Sequence, residues 1–392
     1  MSDQRHYHPK TLAVRAGSEK TGYREHSEAL FLTSSFTFDS AAQGAAIFAR
    51  EEKGYLYARF TNPTVTMFEN RYAALEGAEA AMAVASGMSA LFTTCMALLS
   101  AGDRLVCARE VFGSTYLMVE QLLPRWGIVA DFVPLGDLDA WRDALKRPAK
   151  LVLVETPSNP TLKVVDLAAL AEIVHAAGAL MVVDNAFCTP AVQRPIAHGA
   201  DLTVTSATKF IDGQGRILGG VIAGSEELIR GPILSLVRTT GPTMSAFNAW
   251  VLLKSLETLP IRMAAHCDHA QAVAEALAGR GDLVAVTYPG LPSYPDRDIV
   301  ARQMERGGAL VTFDVGSRER AMHVVDRLEL FSLTANLGDA RSIVTHPAST
   351  THSRMTPEAR AAAGVSEGLI RLAVGLEDPR DLVMDLHRAL DG

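Results

Sequence analysis

Lys209 stands in the stretch LTVTSATKFIDGQGRILGG (residues 202–220), between Thr208 and Phe210, with no acidic residue nearer than Asp212. A lysine without a charged neighbour has its amine available for other work. That amine is nucleophilic only when neutral. Removal from water, or a second positive charge nearby, lowers its pKa, and lysines that form Schiff bases use this. Ser206 and Thr208 precede it, two positions apart. In an extended strand both hydroxyls face one side, where they can donate to a single anion, and Lys209 points the other way. The stretch AVASGMSAL puts Gly87 and Met88 at a helix start. Free N–H groups and the helix dipole make such a start an anion site, although a plainly capped helix carries the same pattern. ALMVVDNAF leaves Asp184 at the end of an apolar strand. There it either caps the next turn or faces a cation as a buried carboxylate. A lysine for an aldehyde, an acid for a ring nitrogen and an anion site for a phosphate are the three needs of pyridoxal 5'-phosphate.

Residues so far apart in sequence need a scaffold that gathers strand ends. Strands are predicted at RLVCA, IVADFVP, KLVLVET, ALMVVD and DLTVTS, separated by helices such as DLAALAEIVHAAG. That alternation predicts an α/β fold, a mainly parallel sheet covered on both faces. Ligands of such sheets bind where the strands end. At TNPTVTMFENRYAALEGAE a helix begins, capped by Asn62 with Pro63 in its first turn. A short helix is expected near residues 41–52. The helix after Met88 is expected to end at Gly102. From about Thr243 to Ala278 the pattern is helical and interrupted at Pro260, and strands at GALVTFDV and LIRLAVG follow. Three parts result: an N-terminal arm (1–60), a large cofactor-binding domain (61–258) and a smaller C-terminal α/β substrate domain (259–392).

Composition narrows the function. At 392 residues the chain exceeds what one core usually holds. With 48% hydrophobic and 21% charged residues it is an ordinary globular chain. A net charge of -7 and no basic block argue against nucleic acid. No apolar run spans a membrane, and the polar start of the chain does not read as a signal peptide. Four cysteines (Cys95, Cys107, Cys188, Cys267) lack metal or redox spacing, which makes a reducing, cytoplasmic setting the default.

From about Tyr55 to the C-terminus the chain resembles the Cys/Met-metabolism family of pyridoxal-phosphate enzymes. The resemblance rests on YLYARFTNPT, LEGAEAAMAVASGM, ETPSNP, VVDNAF, GADLTVTSATKFIDGQG, THPASTTH and LIRLAVGLEDP. It implies the aspartate-aminotransferase-like fold (fold type I). It implies that Lys209 binds the cofactor aldehyde, Asp184 pairs with the ring nitrogen, and Gly87, Met88, Ser206 and Thr208 hold the phosphate. Asn159 approaches the ring hydroxyl, Tyr57 and Arg59 reach a phosphate in the neighbouring subunit, and Arg371 clamps the substrate α-carboxylate. Within the family the chain most resembles the branch that joins sulfide to O-succinyl-L-homoserine in methionine biosynthesis. VFGSTY, TTGPTMSAFNAWVLLKSLETL and ANLGDARSIVTHPASTTHSRMTPEARAAAGV carry that likeness. It implies small-molecule substrates (an O-acyl-homoserine and sulfide), a cytoplasmic enzyme and a homotetramer of dimers with shared sites. Cystathionine γ-synthase, O-acetylhomoserine sulfhydrylase and γ-lyase chemistry stay open on the same scaffold. Two positions depart from the family. Phe112 stands where many members stack a tyrosine on the ring; phenyl stacks but moves no proton. Leu117 stands where related γ-synthases carry an arginine.

Other motifs carry less. His266 and His269, three apart in HCDH, have no third metal ligand nearby, so solvated or interface histidines are expected. His346 and His352 flank a turn and are expected to be structural. GQGRILGG has the wrong glycine spacing and setting for a dinucleotide loop, which argues against a nicotinamide-dependent oxidoreductase. No G-x-S-x-G elbow is present in SIVTHPASTTHS, which weighs against a serine hydrolase.

Overall fold

The computed structural model describes residues 7–49 and 51–392. Of the N-terminal arm, residues 1–6 and 50 lie outside that description. Seven strands form the first sheet: β1 (Ala80–Val84), β2 (Arg104–Ala108), β3 (Val129–Val133), β4 (Leu151–Glu155), β5 (Leu180–Asp184), β6 (Leu202–Ser206) and β7 (Gly220–Gly224). Their order is β1-β7-β6-β5-β4-β2-β3, and β7 alone runs against the other six. β2 and β4 are buried along their whole length, and apolar but for Arg104 at the start of one and Glu155 at the end of the other, because helices cover both sides of a parallel sheet. The alternating side chains of β1 show this directly. Met82 and Val84 join one apolar cluster, while Ala81 and Ala83 join another on the opposite face.

A second sheet follows, built from β8 (Ala285–Thr287), β9 (Leu310–Asp314), β10 (Ser332–Leu333), β11 (Ile343–Thr345) and β12 (Leu369–Ala373). Its order is β10-β11-β12-β9-β8, antiparallel except for the β10–β11 pair. Phe313, Ile370 and Leu372 pack under it with Leu382 and Leu386 of the Pro379–Asp391 helix.

The Pro63–Glu76 helix starts as its sequence predicts. Asn62 Oδ1 accepts from Thr64 N at 2.9 Å, and Gly77 closes it with φ +77°. Three boundaries differ from expectation. The helix near residue 41 is shorter, Ala41–Phe48. The helix after Ser86 spans Gly87–Leu98 and stops before Gly102. Gly102 (φ +91°) serves the turn into β2 instead, where its N–H donates to Gly127 O at 2.9 Å. The break expected at Pro260 falls at residues 257–258, between the Ala246–Leu256 and Leu259–Ala278 helices. Pro260 lies in the first turn of the second, where its missing N–H is harmless.

Candidate active site

The parallel strands present their C-terminal ends along one edge. There the ends of β4, β5 and β6, the start of the Gly87–Leu98 helix and β12 enclose a cavity of about 220 Å³. Lys209, Asp184, Phe112, Asn159 and Arg371 line it, as do Gly87, Met88, Ser206 and Thr208. The sequence-predicted residues thus converge, apart from Tyr57 and Arg59. Tyr57 is 43% exposed. The Arg59 guanidinium lies 4.6 Å from the Phe60 ring centre and donates to Arg238 O, outside the cavity.

Strand alternation holds only as far as Ser206. β6 ends there, and Lys209 N donates back to Ser206 O at 3.2 Å. The chain turns, so Lys209 enters the same cavity as Ser206 and Thr208 instead of pointing away from them. Its backbone is held from two directions. Arg262 donates to Phe210 O at 2.7 Å and to Ile211 O at 2.9 Å. On the other side Gly338 (φ +76°) lies against it so closely that a Cβ there would sit 2.8 Å from Lys209 C. Lys209 Nζ donates to Asn336 Oδ1 at 2.5 Å. Burial, then the Arg371 charge, lowers its pKa to about 8.

At the helix start, Ser86 Oγ accepts from Ser89 N and Ser86 O from Ala90 N. The N–H groups of Gly87 and Met88 have no partner among the described residues. Gly87 is required for closeness: a Cβ would lie 2.7 Å from Ser206 Cβ. Two open N–H groups facing a hydroxyl across a glycine contact fit a phosphate. The Thr208 hydroxyl already donates to Gly219 O at 3.2 Å and accepts from Gly219 N at 3.0 Å, so it must turn to join them.

Asp184 Oδ1 accepts from Ala186 N at 3.0 Å, and burial lifts its pKa to about 6. Arg371 is 1% exposed. Its Nη1 donates to Asn159 Oδ1 at 2.9 Å and its Nη2 to Asn336 O at 3.2 Å, while its Nε has no partner among the described residues. Asn159 therefore spends its oxygen on Arg371 and keeps its amide N–H groups to offer. The Phe112 ring stands edge-on to His352, 6.5 Å between centres.

Two contributors escaped the sequence reading. Glu155 ends β4 as Asp184 ends β5, and LVLVE has the same acid-terminated pattern as LMVVD. Asn336 carried no local signal. The other histidines that the sequence singled out make packing and backbone contacts. His266, expected to be solvated or at an interface, is instead buried, and its Nδ1 bonds Val374 O at 2.8 Å. His269 Nδ1 bonds Gly375 O at 3.2 Å, so both tie their helix to the end of β12. His346 bonds Ser349 Oγ and Glu367 O. Among the described residues no group of His, Cys, Asp and Glu could hold a metal, and no helix is long and apolar enough to cross a membrane.

A desolvated lysine beside an anion cradle, at this edge of a largely parallel sheet with a second small sheet beyond it, defines a fold-type I pyridoxal-phosphate enzyme. The family described as Cys/Met metabolism PLP-dependent enzyme matches residues 10–391, and the chain belongs to it. It is 53% identical to an O-succinylhomoserine sulfhydrylase of Pseudomonas aeruginosa, over 97% of this chain and 94% of the relative. One of Mycobacterium tuberculosis is 51% identical, over 97% and 95%. An L-methionine gamma-lyase of Fusobacterium nucleatum is 41% identical, over 97% of each. Among solved structures, a putative O-acetylhomoserine (thiol)-lyase of Campylobacter jejuni superposes with a TM-score of 0.94 at 30% identity, over 98% of this chain and all of that one. That structure carries a pyridoxyl-lysine phosphate.

Proposed function

We propose that this enzyme replaces the succinyl group of O-succinyl-L-homoserine with sulfide, giving L-homocysteine and succinate in methionine biosynthesis. The observation that carries this is the margin by which O-succinylhomoserine sulfhydrylases exceed the γ-lyase in identity over nearly the whole chain. Bound pyridoxal phosphate supplies an aldehyde for amines and an electron sink for charge developing at the substrate Cα. The side chains do the rest. Gly87, Met88, Ser206 and Thr208 would hold the phosphate, and Asp184 would keep the ring nitrogen protonated. Asn159 offers N–H groups to the ring hydroxyl. Arg371, fixed by Asn159 and Asn336, presents its fork to the α-carboxylate. Lys209, once free, removes the proton at Cα; its lowered pKa suits that work near neutral pH. Phe112 would lie against the ring and has no proton to give, so the proton transfers would fall to Lys209.

Tyr57 and Arg59 lie on a segment away from the cavity of their own chain, which supports their reaching a phosphate in a neighbouring subunit of a homotetramer. A cytoplasmic setting, no nucleic-acid partner and a domain division near residue 258 belong to the same proposal. The test is product analysis with succinyl-, acetyl- and phospho-homoserine, each with sulfide or cysteine. Succinate and homocysteine should form fastest. Preference for cysteine would make this a cystathionine γ-synthase, preference for the acetyl ester an O-acetylhomoserine sulfhydrylase, and α-ketobutyrate without a sulfur donor a γ-lyase.

A further inference from the structure

β4 and β5 pair in a register that sets Glu155 directly beside Asp184 at their C-terminal ends. Both carboxyls line the cavity, and Glu155 is 4% exposed. On its other side, toward β2, Glu155 Oε2 accepts from Phe112 N at 2.7 Å. Phe112 immediately precedes the short Gly113–Leu117 helix, with no side-chain cap of its own. Its main chain is therefore tied down by a side chain from the neighbouring strand. The charged groups that face Glu155 are Asp184 from β5 and Arg371 from β12. Arg371 is also bound to Asn159 and Asn336, and it gives Glu155 no hydrogen bond.

Two adjacent carboxyls lining one cavity disfavour ionising together. Asp184 is raised only to about 6, whereas burial and the Asp184 charge push Glu155 well above the carboxylate range. A neutral Glu155 still has a carbonyl oxygen for the Phe112 N–H, and it adds no second negative charge at the ring-nitrogen end. We propose that Glu155 is a positioning residue, set beside Asp184, that anchors the Phe112 main chain and so fixes the phenyl ring against the cofactor. This deepens the cofactor assignment above and is independent of which acyl group the enzyme removes.

The test uses holoenzyme and reads the cofactor itself: its visible circular dichroism, its dissociation constant and the pH midpoint of its absorbance. Glu155→Gln keeps an oxygen acceptor and removes the titrating group, so all three should stay near wild type. Glu155→Ala leaves the Phe112 N–H without its acceptor. It should weaken cofactor binding about tenfold, the effect of one buried donor left unpaired, and change the dichroism. Combined with Phe112→Ala, the two dichroism changes should be less than additive, because Glu155 acts through Phe112. Additive changes would overturn the proposal, as would wild-type dichroism and affinity in Glu155→Ala. A Glu155→Gln protein with a shifted pH midpoint would show instead that Glu155 is charged. If Glu155→Ala does not fold, Glu155→Leu, which fills the space but offers the Phe112 N–H no oxygen, takes its place with the same expected outcome. A failed sulfhydrylation assay leaves these cofactor readouts intact, so the two proposals fail separately.

Discussion

Titrating the enzyme stripped of cofactor isolates what the protein alone does to Lys209. Its amine falls from 10.5 to about 8, with burial as the leading cause and the Arg371 charge second. A shift of about 2.5 units corresponds to ~3.4 kcal/mol in favour of the neutral form. A lowered pKa enlarges the neutral fraction at any pH below the ordinary value. At pH 7.5 about one molecule in four should hold a neutral Lys209, against about one in a thousand for an unperturbed lysine. Trace labelling with an acylating reagent between pH 6 and 11, read by mass spectrometry of the Lys209 peptide, measures this directly. Labelling should rise through a midpoint near 8, read against an added simple amine as the standard. Arg371→Met should raise the midpoint by less than about one unit, because desolvation remains. A midpoint at the ordinary lysine value would refute the reasoning, since burial would then not be withdrawing the amine from water.

Gly87→Ala would place a Cβ 2.7 Å from Ser206 Cβ. Forcing the helix start off β6 should destabilise the protein by about 1–3 kcal/mol and weaken cofactor binding, measured by thermal melting and equilibrium dialysis; unchanged cofactor affinity would remove Gly87 from the cradle. Mixing inactive Arg59→Ala with inactive Lys209→Ala protein should restore about a quarter of wild-type activity if dimers share sites statistically. No recovery, after subunit exchange is confirmed by mass, would mean that each site is built within one chain.

What the sequence revealed followed from local chemistry. Lys209 stood out because its neighbours carry no charge, and Asp184 because an acid ended an apolar strand. The Gly87 turn followed from the helix start after Ser86. What it concealed depended on register and distance. Glu155 has the same local pattern as Asp184, but only the β4–β5 pairing brings the two acids side by side. Asn336 touches Lys209 from 127 residues away, on the loop between β10 and β11 of the other sheet. Helix ends misled where a residue served the next element: Gly102 turns the chain into β2, and Pro260 opens a helix that it was expected to interrupt. The inward aim of Lys209 was missed because alternation was carried past the last residue of the strand.

Arg262 and Gly338, which hold the backbone at residues 209–211, give Lys209 a fixed pivot. If Lys209 is the aldehyde-binding lysine proposed above, its amine would be freed and retaken in each turnover and would have to swing. Here the Phe210 and Ile211 carbonyls are pinned by one guanidinium, and the loop against them leaves no room even for a methyl group. The moving part is then the butyl arm beyond Cα, four torsions long, whose rotational freedom is worth about 2 kcal/mol. Nothing larger would need to rearrange for the amine to leave the Asn336 oxygen. The stroke would be as short as one side chain.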